Sequence, residues 1–267
     1  METLLLSPEL IGILFCVALF AGFIDAIAGG GGGLLTVPAL LAAGLPPAQA
    51  LATNKLQSVG GSFSASLYFV RRRVVNLAQQ KWVILLTFLA SAIGTVLVQC
   101  LQADILRQLL PYLVICVGIY FLLTPSLGAS EGIPRIGIAL FAVVGGACVG
   151  FYDGFFGPGA GSFYALAYVM LLGLTLPKAT AHAKVLNFTS NAASLLFFIL
   201  GGNVVWVVGL LMLVGQVIGA RLGARMVLTK GQKLIRPMIV TMSLIMSAKL
   251  LFDNHGDEIL TWLQQWG

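Results

Sequence analysis

Apolar runs fall at 10–28, 33–45, 53–70, 82–101, 106–123, 135–152, 159–174, 181–200, 204–224 and 234–252, separated by short polar or glycine-rich breaks. Most are long enough to cross hydrocarbon as a helix, which takes about 20 residues. A helix satisfies its own backbone hydrogen bonds, so a single segment can stand in lipid in that form. The pattern therefore predicts an all-α polytopic membrane protein with about ten membrane-crossing or half-crossing helices. Runs 33–45 and 159–174 are the short ones. Thirteen residues of helix cover ~20 Å, against ~30 Å of hydrocarbon. Each follows a glycine-rich break, so both are expected as half-helices or steeply packed short spans, and whether they cross fully stays open.

The pattern also occurs twice. Gly22-Phe23-Ile24-Asp25, running into Gly29, Gly31 and Gly33, returns as Gly150-Phe151-Tyr152-Asp153, running into Gly157, Gly159 and Gly161. Gly44-Leu45 matches Gly173-Leu174, Ala50, Ala52 and Lys55 match Ala179, Ala181 and Lys184, and Ile93-Gly94 is matched with Ile218-Gly219. Internal repetition of this kind divides the chain into two five-segment repeats, residues 1–128 and 129–267. The loop after the third segment carries Arg71, Arg72 and Arg73, with Lys81 beyond, while its counterpart Gly201-Gly202-Asn203 is uncharged. After the fourth segment the roles reverse: Gln102-Ala103-Asp104 in the first repeat, a loop with Arg225, Lys230, Lys233 and Arg236 in the second. Basic loops face the cytoplasm, so the second repeat is expected to be inverted. Both termini, carrying Glu2, Glu9, Asp257 and Glu258, are then expected on the periplasmic side.

Composition agrees with a membrane protein. The chain is 59% hydrophobic and 9% charged with a mean hydropathy of +1.00, where soluble domains carry about 25% charged residues. The formal charge of +6 is spread over short loops, leaving no basic surface for nucleic acid. The acidic start, Glu2 and Glu9, is unlike a secretory leader, so the first apolar run is expected as a retained span. Cys16, Cys100, Cys116 and Cys148 lack metal-type spacing and are expected as small buried hydrophobes. His255 lies in the polar tail, and no set of residues has metal-ligand spacing. Arg221 and Arg225 are expected as topology anchors, Lys249 as a snorkelling residue, and Trp206, Trp262 and Trp266 as interfacial residues.

The candidate chemistry lies in the repeated polar residues. Asp25 and Asp153 are carboxylates within apolar sequence, where an acid is expensive and marks function by default. They serve either proton coupling or the capping of the helix break that follows. The glycine runs serve either close helix packing or an unwound stretch feeding a helix N-terminus, whose free N–H groups favour anions. On the second reading Gly31, Gly33, Gly159 and Gly161 bind substrate, and Pro158 supports a real break. No Gly-Lys-Ser/Thr follows, which excludes a phosphate loop. Lys55, Ser58 and Ser62 share one helix face, as do Lys184, Asn187 and Asn191. The two stripes could line an anion site from both repeats, or the lysines could snorkel to the headgroups. His182, matched by Thr53, is either a hydrogen-bonded structural residue or a proton relay.

The stretch Gly22 to Pro38 with Ala52-Thr53-Asn54-Lys55, together with Gly150 to Ser162 and Ala181-His182-Ala183-Lys184, resembles the TauE/SafE family across nearly the whole chain. The resemblance implies a bacterial inner-membrane permease, some of whose relatives are linked to export of sulfite or small organosulfonates. It highlights Asp25, the Gly29–Gly33 run, Asn54, Lys55, Asp153, the Gly157–Gly161 run and Lys184. The loss of Asn54 at the second copy, where Ala183 stands, breaks strict symmetry.

These readings converge on a secondary transporter for a small anion, with alternating access between two repeats, no enzymatic activity and no cofactor. Its expected partners are the anion and the lipid bilayer; no residue marks an oligomer interface, and a homodimer stays open. The alternatives are a passive anion channel and an intramembrane lipid pyrophosphate phosphatase; against the latter, no arginine lies in the 157–162 loop. Substrate, direction and coupling ion are not legible in the residues.

Overall fold

The computed structural model of the chain describes residues 7–28, 31–101 and 131–230. The expected segments 106–123 and 234–252 lie outside the described residues. Eight helices follow in order: α1 (Pro8–Ala28), α2 (Gly31–Ala42), α3 (Pro47–Arg71), α4 (Lys81–Gln99), α5 (Ile138–Phe155), α6 (Ala160–Leu172), α7 (Leu176–Leu200) and α8 (Trp206–Lys230). The described residues contain no strand. Five stretches, in α1, α4 with its preceding turn, α5, α7 and α8, are long and apolar enough to cross a membrane. Helix α3 is as long as α7 but carries too many polar residues for that class. Most of its residues are covered by neighbouring helices.

Local sequence sets the ends. Pro47 opens α3 and Pro177 lies in the first turn of α7, where a missing N–H costs nothing. Gly44 and Gly173 follow α2 and α6 with φ of 92° and 69°, left-handed values that end a helix without Cβ strain. Helices α2 and α6 have 12 and 13 residues, about 18–20 Å of rise, so neither spans the hydrocarbon alone. Within α5, Ala142–Cys148 is wound as a π-helix, and Gly146 lies close against Val83 and Thr87 of α4. The break between α5 and α6 is pinned by Tyr152, whose hydroxyl donates to the Pro158 carbonyl (2.6 Å).

The halves interlock. Helix α8 packs along α1 and α3, and its first-half counterpart α4 packs along α5 and α7. Each fourth helix thus lies against the other half, and α3 meets α7 at the centre. Helices α3 and α7 run antiparallel. The start of α3 meets the end of α7, where Thr53 Oγ1 accepts from the Val205 N–H (3.2 Å), and Tyr68 and Phe69 near its end share a core with Ala181 and Val185.

Basic residues gather at one end. The Tyr68 ring lies between Arg72 (5.4 Å) and Arg221 (4.7 Å), which brings the basic ends of α3 and α8 together. Two features differ from the sequence reading. Arg225 and Lys230 lie on α8 itself, because the helix continues past the apolar run ending at 224. The described cysteines, Cys16, Cys100 and Cys148, are exposed; in an all-apolar segment the lipid-facing side is as hydrophobic as the packed side, so composition cannot tell them apart.

Glycine contacts correct the repeat alignment. A Cβ on Gly94 would lie 2.3 Å from the Phe151 carbonyl oxygen, and one on Gly223 would lie 2.4 Å from that of Phe23. Phe23 and Phe151 are matched residues, so Gly94 corresponds to Gly223 and not to Gly219. Small residues recur every turn along such helices, and a dipeptide match slips by one turn without penalty. Gly94→Ala and Gly223→Ala should each destabilise the fold by about 1–3 kcal/mol, since backbone must move to admit the methyl. Gly12→Ala, with nothing within 4 Å, should be neutral or stabilising by up to ~1 kcal/mol; thermal unfolding in detergent measures all three.

Candidate functional site

The charged residues of the two repeats pair across them. Lys55 on α3 donates to Asp153 Oδ1 on α5 (2.6 Å) and also to the Asp153 backbone carbonyl. Lys184 on α7 donates to Asp25 Oδ2 on α1 (2.6 Å). Side-chain exposures are 1% for Lys55, 0% for Lys184, 2% for Asp153 and 10% for Asp25. Snorkelling to the headgroups is therefore overturned. The physical reason lies in where the helices begin. α3 and α7 start at Pro47 and Leu176, so each lysine sits eight residues in, about 12 Å along the axis. The first turns of both helices are too polar to register as an apolar run. Each carboxylate spends its charge on the opposite half's lysine; the break after Asp25, at 29 and 30, lies outside the described residues.

The surroundings differ between the pairs. Asp153 Oδ2 also accepts from Ser190 Oγ and Asn187 Nδ2 (3.4 Å). Asp25 has Lys184 as its one partner among the described residues. Where Ser190 stands in the second half, the first half has Gly61, and Gln216 fills the space over it. A Cβ on Gly61 would lie 2.4 Å from Gln216 Cγ. The Gln216 amide reaches the neighbourhood of Gly32 and Asp25: a Cβ on Gly32 would meet Asp25 Cγ at 3.2 Å and Gln216 Nε2 at 3.1 Å. Gln216 is 1% exposed, and both of its amide heteroatoms lack partners among the described residues.

Between the pairs lies a small cavity lined by Asp25, Asn54, Lys55, Asp153, Asn187 and Asn191, with Ser58, Gly33, Gly157 and Gly161 completing the wall. It measures about 10 Å³, close to the space one water occupies. Gly33 and Gly161 lie in the first turns of α2 and α6, so two helix N-termini, whose free N–H groups carry partial positive charge, reach the same wall. Asn54 is held in one orientation: its Oδ1 accepts from Thr36 Oγ1 (2.6 Å), Gln57 Nε2 (3.0 Å) and Ser58 Oγ (3.4 Å). Its Nδ2 is left as a donor for the cavity. Asn191 Nδ2 donates to Asn187 Oδ1 (3.1 Å), which turns Asn187 Nδ2 towards Asp153.

Lys184 reaches this cavity only through Asp25 and does not line it, and other expected residues also stay outside the lining. Ser62 Oγ donates back to the Ser58 carbonyl (2.5 Å), a local bond open to any helical serine. Gly31 opens α2. Gly159 precedes α6 with φ of 84°, shaping the break. His182 also lies off the cavity: its Nδ1 is 2.8 Å from the Lys178 carbonyl and its ring packs at 5.3 Å on Tyr168. Two further residues shape the site. Gly157 leaves room for Lys55, whose Nζ would sit 3.0 Å from a Cβ there. Gln216 gave a signal as a lone amide in an apolar run, but the slipped repeat alignment set it against Ser91 instead of Thr87.

A helical membrane protein with paired charges around a central polar cavity belongs to the transporter class, and comparisons with known proteins place it more closely. Residues 14–250 match the profile described as Sulfite exporter TauE/SafE, and the chain belongs to this family. It is 64% identical over 259 residues to the Probable membrane transporter protein YfcA of Escherichia coli strain K12, covering 97% of this chain and 96% of that one. It is 55% identical over 246 residues to a Probable membrane transporter protein of Haemophilus influenzae, covering 92% and 96%. A third relative, ORF9 of Sinorhizobium sp, is 44% identical over 248 residues, covering 93% and 95%. No solved structure matches the chain.

Removing one member of a buried pair leaves an uncompensated charge. Lys184→Ala should cost about 3–5 kcal/mol, whereas Lys184→Ala with Asp25→Ala should cost clearly less than the sum of the two single changes. Thermal unfolding of the four proteins in detergent checks this double-mutant cycle. Equal, additive losses would show that the pair is not coupled.

Proposed function

We propose that this chain is a secondary transporter for a small anion, such as sulfite or an organosulfonate, in the bacterial inner membrane. The observation that carries this reading is the convergence of two helix N-termini and two inter-repeat ion pairs on one small polar cavity. Helix ends, the Asn54 amide and the Lys55 ammonium are all donors, and donors recognise oxyanions. The description of the family as sulfite exporters agrees with that chemistry. Sulfite, sulfonates and short carboxylates share it, so competition between them must rank the substrate.

The antiparallel run of α3 and α7, together with the gathering of basic residues at one end, supports two inverted repeats over 1–128 and 129–267. On the positive-inside rule the basic end is cytoplasmic, so the start of α1 faces the periplasm. The moving bodies are then not the sequence repeats. Because α4 and α8 are exchanged, the units that can rock are α1–α3 with α8 and α5–α7 with α4. They meet along α3 and α7, where both ion pairs close. A cavity of one-water size also favours a carrier that opens to one side at a time over a passive channel.

Purified protein reconstituted in liposomes should take up radiolabelled sulfite saturably, with short sulfonates and carboxylates competing according to fit. Lys55→Ala and Lys184→Ala should each lower uptake at least about tenfold, the effect of losing ~1.4 kcal/mol of binding. Undiminished uptake in both variants would remove the lysines from the site. Flux that never saturates would favour the channel.

A further inference from the structure

We infer that the anion crosses together with a proton carried on Asp25, so that the loaded and the empty site both have zero net charge. This rests on the anion-carrier reading above. The starting point is a charge count: the described site holds two ammonium groups and two carboxylates, and every one is engaged with an opposite charge. A further anion entering that buried charge cluster would make it a net negative site, with the desolvation cost of an unpaired charge. A proton arriving with the anion removes the deficit. It forms an O–H bond on one carboxylate oxygen, that carboxylate loses its charge, and its lysine becomes the counter-ion of the bound anion.

Geometry selects Asp25. Asp153 is held through both carboxylate oxygens, by Lys55, Ser190 and Asn187. Asp25 is held through Oδ2 alone among the described residues, faces the cavity, and is the more exposed of the two. The Gln216 amide, without a partner among the described residues, lies beside it. A primary amide can donate to a carboxylate or accept from a carboxylic acid, so it suits both protonation states. After release of anion and proton, Asp25 recloses on Lys184, and the empty carrier returns neutral.

Among the described residues, the remaining titratable and charged side chains on the elements around Asp25 are bound elsewhere, buried or facing outward. Lys55 on α3 is held by Asp153, and Tyr68 on α3 lies under Arg72 and Arg221. On α7, Lys178 pairs with Glu131, and His182 faces the Lys178 carbonyl. On α5 and α6, Tyr152 donates to Pro158, Tyr168 donates to Gln80, and Tyr164 is buried. Glu9 on α1, Arg71 on α3, and Arg221 and Arg225 on α8 are exposed.

The test uses the full chain in liposomes with methanesulfonate, the anion of a strong acid that holds no proton of its own at any pH used. Membrane potential is clamped with potassium and valinomycin, and a trapped dye reads internal pH. With the outside more acidic by one pH unit, methanesulfonate should accumulate inside towards about tenfold, the interior should acidify in step, and the final ratio should not depend on the clamped potential. Any residual flux in Asp25→Asn should move anion without acidifying the interior and should level at the outside concentration. Accumulation that follows the potential with no proton entry would overturn the inference and leave the anion carrier standing; that wild-type result decides whether or not the variant folds. Proton-coupled residual flux in Asp25→Asn would overturn the assignment to Asp25. No movement of methanesulfonate, sulfite or short carboxylates would instead overturn the anion-carrier reading, and this inference with it.

Discussion

Two ammonium–carboxylate contacts, Lys55 with Asp153 and Lys184 with Asp25, hold the centre of this protein, and each closes between opposite halves of the chain. In a low-dielectric interior an unpaired charge is so costly that neither half can be completed alone. Lys55 would be stranded without α5, and Asp25 without α7. The ion pairs therefore do more than join two surfaces. They make each half's polar residues the counterpart of the other's, and they place the cavity at the point where four charges cancel.

The exchange of fourth helices follows the same logic in apolar terms. Gly94 and Gly223 let α4 and α8 approach carbonyls of the opposite half so closely that a methyl would collide with backbone. Close approach through small residues is the main source of helix association in lipid, where burial of apolar surface brings little. The long central helices α3 and α7, too polar in places to face lipid, are consequently covered by helices from both halves.

Asymmetry enters where the repeats have diverged. Ser190 supports Asp153 directly, while Gly61 takes its place in the first half and Gln216 fills the space. Asn54 has no amide counterpart at Ala183, so a single side presents that donor to the cavity. Among the described residues the site thereby holds Asp153 through both carboxylate oxygens and Asp25 through one.

Much of this was legible from residues alone. Apolar runs foretold eight of the described helices, the two short ones included, because lipid demands both length and internal hydrogen bonding of any segment. The repeated Gly-Phe-x-Asp motif and the lysines after it marked Asp25, Asp153, Lys55 and Lys184, because buried charge is too expensive to occur without a role. Pairing was beyond reach. A lysine and an aspartate separated by 98 or 159 residues carry no mark of which belongs to which, and periodicity in a wholly apolar segment does not tell lipid from neighbour. For that reason the outward cysteines, the slipped match of Gly94, the remoteness of His182 and the place of Gln216 were decided only by tertiary packing. Local chemistry determined which residues needed partners; the three-dimensional path of the chain chose those partners.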